Sequence, residues 1–350
     1  MAANATITTV DAAAATAAPV GARTDRDRRG TAMMSAFPVL PDGLRRSVES
    51  HGAAGAAWLA EVPGLVMECA EAWHVDLGYA IDRPGEVLLV RGRGRSGPVV
   101  IKIRPPWSDL APEASVLSAA HGRGYSHLLD VDETRRALLL EGLGQELDVA
   151  AVEAREGIAG VADILIKTLQ QAWTVPLNAA LRSCSPASDL KQTILAHPAP
   201  DGIPDCGRAV ERALAYADQR LADTDPVREV VVHGDPKPAT LRSVQSPRPG
   251  AESGYVFIEP NCFRSDREYD LGVLLRDANR VLLSAEDPVV FARRWCAEVA
   301  EATGCDAEVI WQWSYVQRVA LGLRLSNGPE PLAGRSYLQT ATALISRVRG

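Results

Sequence analysis

No run of apolar residues in the 350-residue sequence is long enough to cross a bilayer, which argues against membrane insertion. Cysteine pairs at metal or redox spacing are missing too. Cys69, Cys184, Cys206, Cys262, Cys296 and Cys305 are scattered without a C-x-x-C pair, and several fall within apolar helical patterns. Buried free thiols explain them better than disulfides or zinc, so a reducing, cytoplasmic location is expected. Nor is there an excess of positive charge. With 37 basic and 44 acidic side chains the formal charge is -7, which argues against a general nucleic-acid binder and is compatible with a cationic substrate. Residues 1–36 lack both a periodic apolar face and the hydrophobic stretch of a secretory signal. They are Ala/Thr-rich, then basic from Arg23 to Arg29, and are expected to form a disordered tail; Asp11, Asp25 and Asp27 weaken the case for a targeting leader.

What is present is ordinary for a soluble chain, with hydrophobic residues at 47% and charged ones at 23%, and enough length for one large unit. The most informative stretch is residues 230–271, which reads VVVHGDPKPATLRS, a polar Pro/Gly spacer, then YVFIEPNCFRSDREYDL. Its two β-branched runs, 230–232 and 255–258, read as buried strands. They lead to Asp235 and Glu259, which are expected at the ends of neighbouring strands facing one cleft. That geometry suits phosphoryl transfer, in which one carboxylate orients an attacking hydroxyl and another holds the metal on the nucleotide phosphates.

Upstream, helices are predicted over 41–50 and 53–73, the second from Trp58, Leu59, Val62, Leu65, Val66, Cys69 and Trp73 at helical spacing. Strands are predicted over 75–81, 86–91 and 98–104. The third, PVVIKIR, sets Lys102 in an apolar run, where an ammonium needs a partner. Glu113, in a helical pattern opened by Pro112, is the candidate; a solvated edge-strand lysine is the plain alternative. Gly92, Gly94 and Gly97 spell G-x-G-x-x-G, but a dinucleotide loop leads into a helix and this one leads into a strand, so RGRGRSG is expected to be a hairpin turn. RRALLLEGLG predicts a strand ending at Glu141 and a connector through Gly144. Helical patterns cover 160–173 and 206–221, joined by a Pro/Ser/Asp-rich stretch over 183–204. A helix opened by Asp287 and Pro288 and closed by Gly304 follows, then helices over 306–325 and 331–348, with Trp311, Trp313 and Tyr315 read as packing.

His233, Gly234, Asp235, Lys237 and Pro238 match the kinase catalytic-loop pattern H-x-D-x-K-P-x-N. The whole block resembles the aminoglycoside phosphotransferases, whose loop usually reads H-G-D-L-H-x-x-N and whose metal segment usually reads I-D. The early PDGL…AAWLAEVPGLVMECAEAW resembles the start of the streptomycin 6-kinase subgroup. Two positions depart from the pattern: Thr240 stands where the family has a metal-ligating Asn, and Glu259 where it has Asp.

The resemblance implies an α+β, two-lobed protein-kinase-like fold, with a small N-terminal lobe built on an antiparallel sheet (37–141) and a mostly helical C-terminal lobe (142–350). It implies ATP and Mg2+ as cofactors. Lys102, paired with Glu113, would hold the α- and β-phosphates, residues 82–85 with Gly85 would cover them, and Glu141, Gly142 and Leu143 would meet the adenine. Glu259 and Thr240 would hold magnesium. Asp235 would orient the acceptor hydroxyl, and Lys237 would stabilise the transferring phosphoryl group or serve only as a surface lysine. His233 and Asp270 would brace the loop. The implied acceptor is a streptomycin-type aminocyclitol or another small hydroxylated, cationic molecule, in resistance or self-protection, handled by a monomer or weak dimer. Asp266, Glu268, Glu286 and Asp287 are candidates to face its cationic groups, with solvated helix starts the ordinary alternative for the last two. The substitutions at 240 and 259 keep open a degenerate kinase-fold protein that binds nucleotide or a partner without phosphoryl transfer. No D-F-G or A-P-E segment points to a protein kinase.

Overall fold

The computed structural model describes residues 39–345 apart from 84, 178, 179, 183 and 329. The expected tail over 1–36 lies outside the described residues, as do Pro84 of the covering loop and the end of the last predicted helix.

Helices α1 (Asp42–Val48) and α2 (Gly52–Trp73) come first, and Trp58, Val62, Val66 and Cys69 form the buried stripe of α2. Strands β1 (Asp76–Ala80), β2 (Leu88–Gly94) and β3 (Gly97–Ile103) follow, then α3 (Ala111–Ala120), β4 (Leu128–Asp132) and β5 (Ala137–Glu141). They form a five-stranded antiparallel sheet in the order β1-β2-β3-β5-β4. The glycine-rich stretch is the β2–β3 hairpin, closed by the pair Gly94 and Gly97. Lys102 lies on a central strand opposite Leu89 and Leu138, which removes the edge-strand alternative.

The rest is mostly helical. Helix α4 (Val149–Ala172) starts earlier than its periodicity suggests because Asp148 caps it at Ala151, and it breaks at Gly157, whose φ is 70°. The Pro/Ser/Asp-rich stretch read as a connector contains a helix, α5 (Pro186–Ala196), before α6 (Cys206–Ala222). Then come β6 (Val230–Val232), β7 (Leu241–Ser243), β8 (Tyr255–Phe257) and β9 (Phe263–Ser265). The strands before Asp235 and Glu259 are not hydrogen-bonded to each other: β6 pairs with β9 and β7 with β8, in two separate ladders. Each three-residue strand pairs instead with a short strand lying beyond one of the acid-bearing loops, and hydrogen bonds from His233 to Ile258 and from Asn261 to His233 join the two loops.

Helices α7 (Arg267–Arg276), α8 (Asn279–Ser284), α9 (Pro288–Thr303), α10 (Ala307–Ser326) and α11 (Pro331–Ala343) complete the fold. Asp287 caps α9 and Gly304 ends it in the left-handed region. Trp311, Trp313 and Tyr315 are buried along α10, which packs against five other helices.

The sheet has two packed faces, as the period of 2 along a strand requires. Ala137 and Leu139 of β5 join Leu88, Val90, Ile101 and Ile103 against α2. Leu138 and Leu140 turn the other way and join Val116 and Leu117 of α3 to Leu169, Ile310 and Leu323. The second core therefore runs across residue 141 from the sheet into the helices.

Candidate active site

The loop after β6 is held from beneath. Asp270, fully buried on α7, accepts from the backbone N–H of His233 at 2.9 Å and of Gly234 at 2.8 Å, and from Trp173 Nε1 at 2.9 Å. Burial pushes its pKa up to about 6, against the pull of those three donors. Gly234 has φ 86°, and a Cβ there would lie 2.6 Å from the Phe263 ring, so the turn needs glycine. His233 is buried against Tyr125 and Phe257, and burial lowers its pKa to about 4. As a neutral ring it accepts from Asp235 N–H at Nδ1 (3.2 Å), so Nε2 carries the proton donated to Ile258 O at 3.1 Å. This second bond, with Asn261 N–H to His233 O at 2.9 Å, joins the loop to the segment bearing Glu259.

Asp235 Oδ2 is 2.6 Å from Lys237 Nζ and Oδ1 is 2.8 Å from Arg276 Nη2. Burial alone would raise its pKa, but Arg276 and Lys237 outweigh it and hold the carboxyl below its ordinary value. Arg276 also grips Asp277 through Nε and Nη2, and the Tyr337 hydroxyl donates to Asp277 at 3.1 Å.

Across the cleft, Lys102 Nζ meets Glu113 Oε1 at 2.6 Å, both side chains being 3% exposed, and Arg104 takes Glu113 Oε2 at 2.5 Å. Burial opposes the Glu113 charge, yet the two cations keep its pKa lowered. Beside this pair lies a largely apolar cavity walled by Leu89, Val100, Leu140, Leu143 and Ile258. Two of the three predicted hinge residues have their N–H groups engaged: Glu141 N–H donates to His127 O at 3.0 Å and Gly142 N–H to Pro98 O at 2.8 Å. The Glu141 carboxylate is taken by Arg248 at 2.5 Å and by His127 N–H at 2.8 Å. Gly142 is needed for this approach, since a Cβ would meet Pro98 backbone at 2.5 Å. Leu143 N–H makes no hydrogen bond to a described residue and borders this cavity, so it is free to donate to a guest there.

Glu259 adopts a left-handed φ of 60°, a strained setting of the kind that clusters at functional sites. Its Oε2 is 2.5 Å from Arg83 Nη2, which ties the covering loop to this segment. That loop is also anchored to α1 by Gly43 N–H to Asp82 Oδ1 at 3.1 Å and by Gly85 N–H to Ser47 Oγ at 3.0 Å.

Both residues expected to hold magnesium have other partners. Thr240 Oγ1 donates to Lys237 O at 2.8 Å and accepts from Lys237 N–H at 3.1 Å, so its hydroxyl is used within its own 3-10 turn. Glu259 is engaged by Arg83, and no three His, Cys, Asp or Glu side chains converge on a metal position among the described residues. A nucleotide-borne magnesium needs only one or two protein oxygens, with phosphates and water supplying the rest, so Glu259 would have to exchange Arg83 for the cation.

Nor do the four acids expected to face a cationic acceptor line the chamber around Asp235. Asp266 caps α7 and accepts from Trp313 Nε1 at 2.7 Å, and Glu268 is buried with Arg228 at 2.7 Å. Asp287 caps α9, and Glu286 is exposed. Sequence reasoning missed Arg276 and Asn261, and it named Arg83 only as part of the covering loop, not as the partner of Glu259. Asn261 lines both the chamber holding Arg83, Lys102 and Glu259 and the one holding Asp235 and Lys237, so the two adjoin at its side chain. Nothing in local spacing marks these residues: Arg276 is 41 positions from Asp235, and Arg83 is 176 from Glu259.

A lysine sheet, a braced HGD loop and a helical second half define the kinase-like class, and solved structures agree on the fold. Choline kinase LicA from Streptococcus pneumoniae superposes with a TM-score of 0.55 at 12% identity, over 82% of this chain and 99% of that one. A thermostable mutant of aminoglycoside phosphotransferase APH(4)-Ia, solved with ADP and hygromycin B, gives 0.50 at 11% identity over 79% and 97%. The particular family follows from the sequence: residues 74–328 match the aminoglycoside/hydroxyurea antibiotic resistance kinases, and the chain belongs to that family. Membership makes it a phosphotransferase of the type with an alcohol group as acceptor. The streptomycin 6-kinase of Streptomyces glaucescens is 26% identical over 284 residues, 79% of this chain and 87% of the relative. That of Streptomyces griseus is 33% identical over 146 residues, 41% of this chain and 46% of the relative, so the chain spans under half the length of that protein. Among the described residues no helix is long and apolar enough to cross a membrane.

Proposed function

We propose that the protein transfers the γ-phosphoryl group of ATP to a hydroxyl of a small polyhydroxylated molecule. The carrying observation is that Asn261 lines both the chamber of Lys102 and Glu259 and the chamber of Asp235. ATP would lay its base against the apolar wall at Leu143 and its phosphates toward Lys102 and the covering loop with Gly85 and Arg83. The two lobes, 37–141 and 142–350, would hinge at Glu141 and Gly142. Asp235 accepts the proton of the acceptor hydroxyl as that oxygen bonds the γ-phosphorus. The bond from γ-phosphorus to the β–γ bridging oxygen breaks, and its electron pair leaves with ADP. Lys237 and Arg276, already on Asp235, hold it ionised and lie where charge spreads over the transferring group. Thr240 and Glu259 are both engaged by protein groups in this structure, so no step here is routed through magnesium.

Streptomycin is the acceptor to try first, since two relatives bear the name streptomycin 6-kinase. A cytoplasmic location, where ATP and free thiols coexist, and a monomer or weak dimer belong to the same reading. A second reading, nucleotide binding without transfer, is favoured by the engaged Thr240 hydroxyl and the Arg83–Glu259 pair. The test is mass spectrometry of streptomycin and a panel of small alcohols after incubation with ATP, with and without magnesium or manganese. A phosphorylated product is expected, and Asp235→Asn should cut its rate by roughly 10²–10⁴ while leaving ATP binding within about twofold. ATP binding with no product from any acceptor would establish the second reading instead.

A further inference from the structure

The chamber around Asp235 has a volume of about 640 Å³, and its charges are not those of a receptor for polycations. Two of its three wall carboxylates are already committed: Asp235 to Lys237 and Arg276, and Asp277 to Arg276 and Tyr337. Only Asp189, in the first turn of α5, is an acid there without a side-chain partner among the described residues. Against it stand two guanidinium groups that make no hydrogen bond or ion pair to described residues, Arg182 before α5 and Arg324 in the last turn of α10. Neither lines the chambers on the Lys102 side, although Arg182 also borders a neighbouring chamber with Asp223, Asp225, Glu229 and Asp266, so Arg324 is the cation committed to the Asp235 chamber and Arg182 is shared. A guest with several guanidinium or ammonium groups would meet two like charges and one free carboxylate.

We propose that the acceptor is a hydroxylated molecule carrying an anionic group, a carboxylate or a phosphate ester, which Arg182 and Arg324 hold while a hydroxyl faces Asp235. The planar guanidinium fork matches either oxyanion in a bidentate fashion. Asp189 accepts from a second hydroxyl or tolerates one ammonium without reversing the sign of the site. This inference rests on the phosphotransferase reading above and names the acceptor class of the same site.

The test uses the full chain and four probes, streptomycin, myo-inositol, D-gluconate and D-glucose 6-phosphate, with calorimetric binding and ADP release measured separately. Both guanidinium groups are exposed, so Arg182→Glu and Arg324→Glu should fold, and ATP affinity within twofold of the parent checks this. At least one anionic probe should bind ten times tighter than myo-inositol and tighter than streptomycin. Each Arg→Glu change should weaken it by a further tenfold or more, and Arg182→Gln and Arg324→Gln by less. Preference for gluconate or for glucose 6-phosphate tells a carboxylate from a phosphate. If streptomycin binds best and neither reversal changes its affinity, or if both anions bind no better than myo-inositol, the inference is overturned while ADP release can still uphold phosphoryl transfer. If an anion binds in an arginine-dependent way but no probe releases ADP, the acceptor assignment stands and the transfer reading falls.

Discussion

His233 is a base that the fold keeps uncharged. Unfolded, its imidazole takes up a proton near 6.5, but in the folded chain burial lowers this to about 4. Between those values the unfolded chain binds more protons, so stability falls as the pH drops from about 6.5 to about 4, by up to roughly 3 kcal/mol from this group. Asp270 acts oppositely: raised from 3.8 to about 6, it favours the folded state at low pH and loses that contribution as the pH rises through about 6. His233→Phe separates the two. Chemical denaturation at several pH values should show a flatter loss of stability toward acid in the variant, while the Asp270 contribution remains because its bonds go to the backbone N–H groups of 233 and 234. At this scale the sequence was readable where chemistry is compact, as in the HGD triplet and the apolar run around Lys102. It was silent on Arg276, whose guanidinium reaches Asp235 only through the placement of α7.

Among the elements, the covering loop between β1 and β2 is held largely by polar contacts: Asp82 and Gly85 bond to α1, Arg83 bonds to Glu259, and Glu86 bonds to His51 and Trp107. Such segments open locally at low free-energy cost. Arg83→Ala should therefore raise amide hydrogen exchange over residues 82–86 by about fivefold or more and leave β3 and α3 unchanged, since Lys102 and Glu113 do not depend on it; equal exchange in both proteins would mean the ion pair holds nothing. Strands β1, β2, β3 and β5 and the hairpin were legible because apolar or β-branched runs and turn glycines are local signals, whereas β4, exposed along most of its length, was not. Helix α5 was not, because its Pro, Ser and Asp residues are those of a connector as well as of a helix start. The pairing of β6 with β9 was equally hidden, since three residues carry no register information and tertiary context chooses the partner.

For the whole molecule, the lysine sheet and the helical part share one of the two main cores. Val116, Leu117, Leu138 and Leu140 pack with Leu169, Ile310 and Leu323, so loss of the helical half strips one face of the sheet. Calorimetry should accordingly give one cooperative transition, with the van't Hoff enthalpy matching the calorimetric one, and ATP at 100 times its Kd should add about 2.7 kcal/mol to stability. Two separate transitions would mean that the lobes melt independently. The kinase-like fold was legible through the motif resemblance; the continuity of the core was not, because a division drawn along the chain says nothing about which faces are buried. One consequence falls on synthesis. A nascent chain that has reached residue 141 holds every strand of its sheet and the cover of α3, but none of Leu169, Ile310 and Leu323, so part of that face stays wet on the ribosome until α4 and α10 emerge, a natural opening for a chaperone.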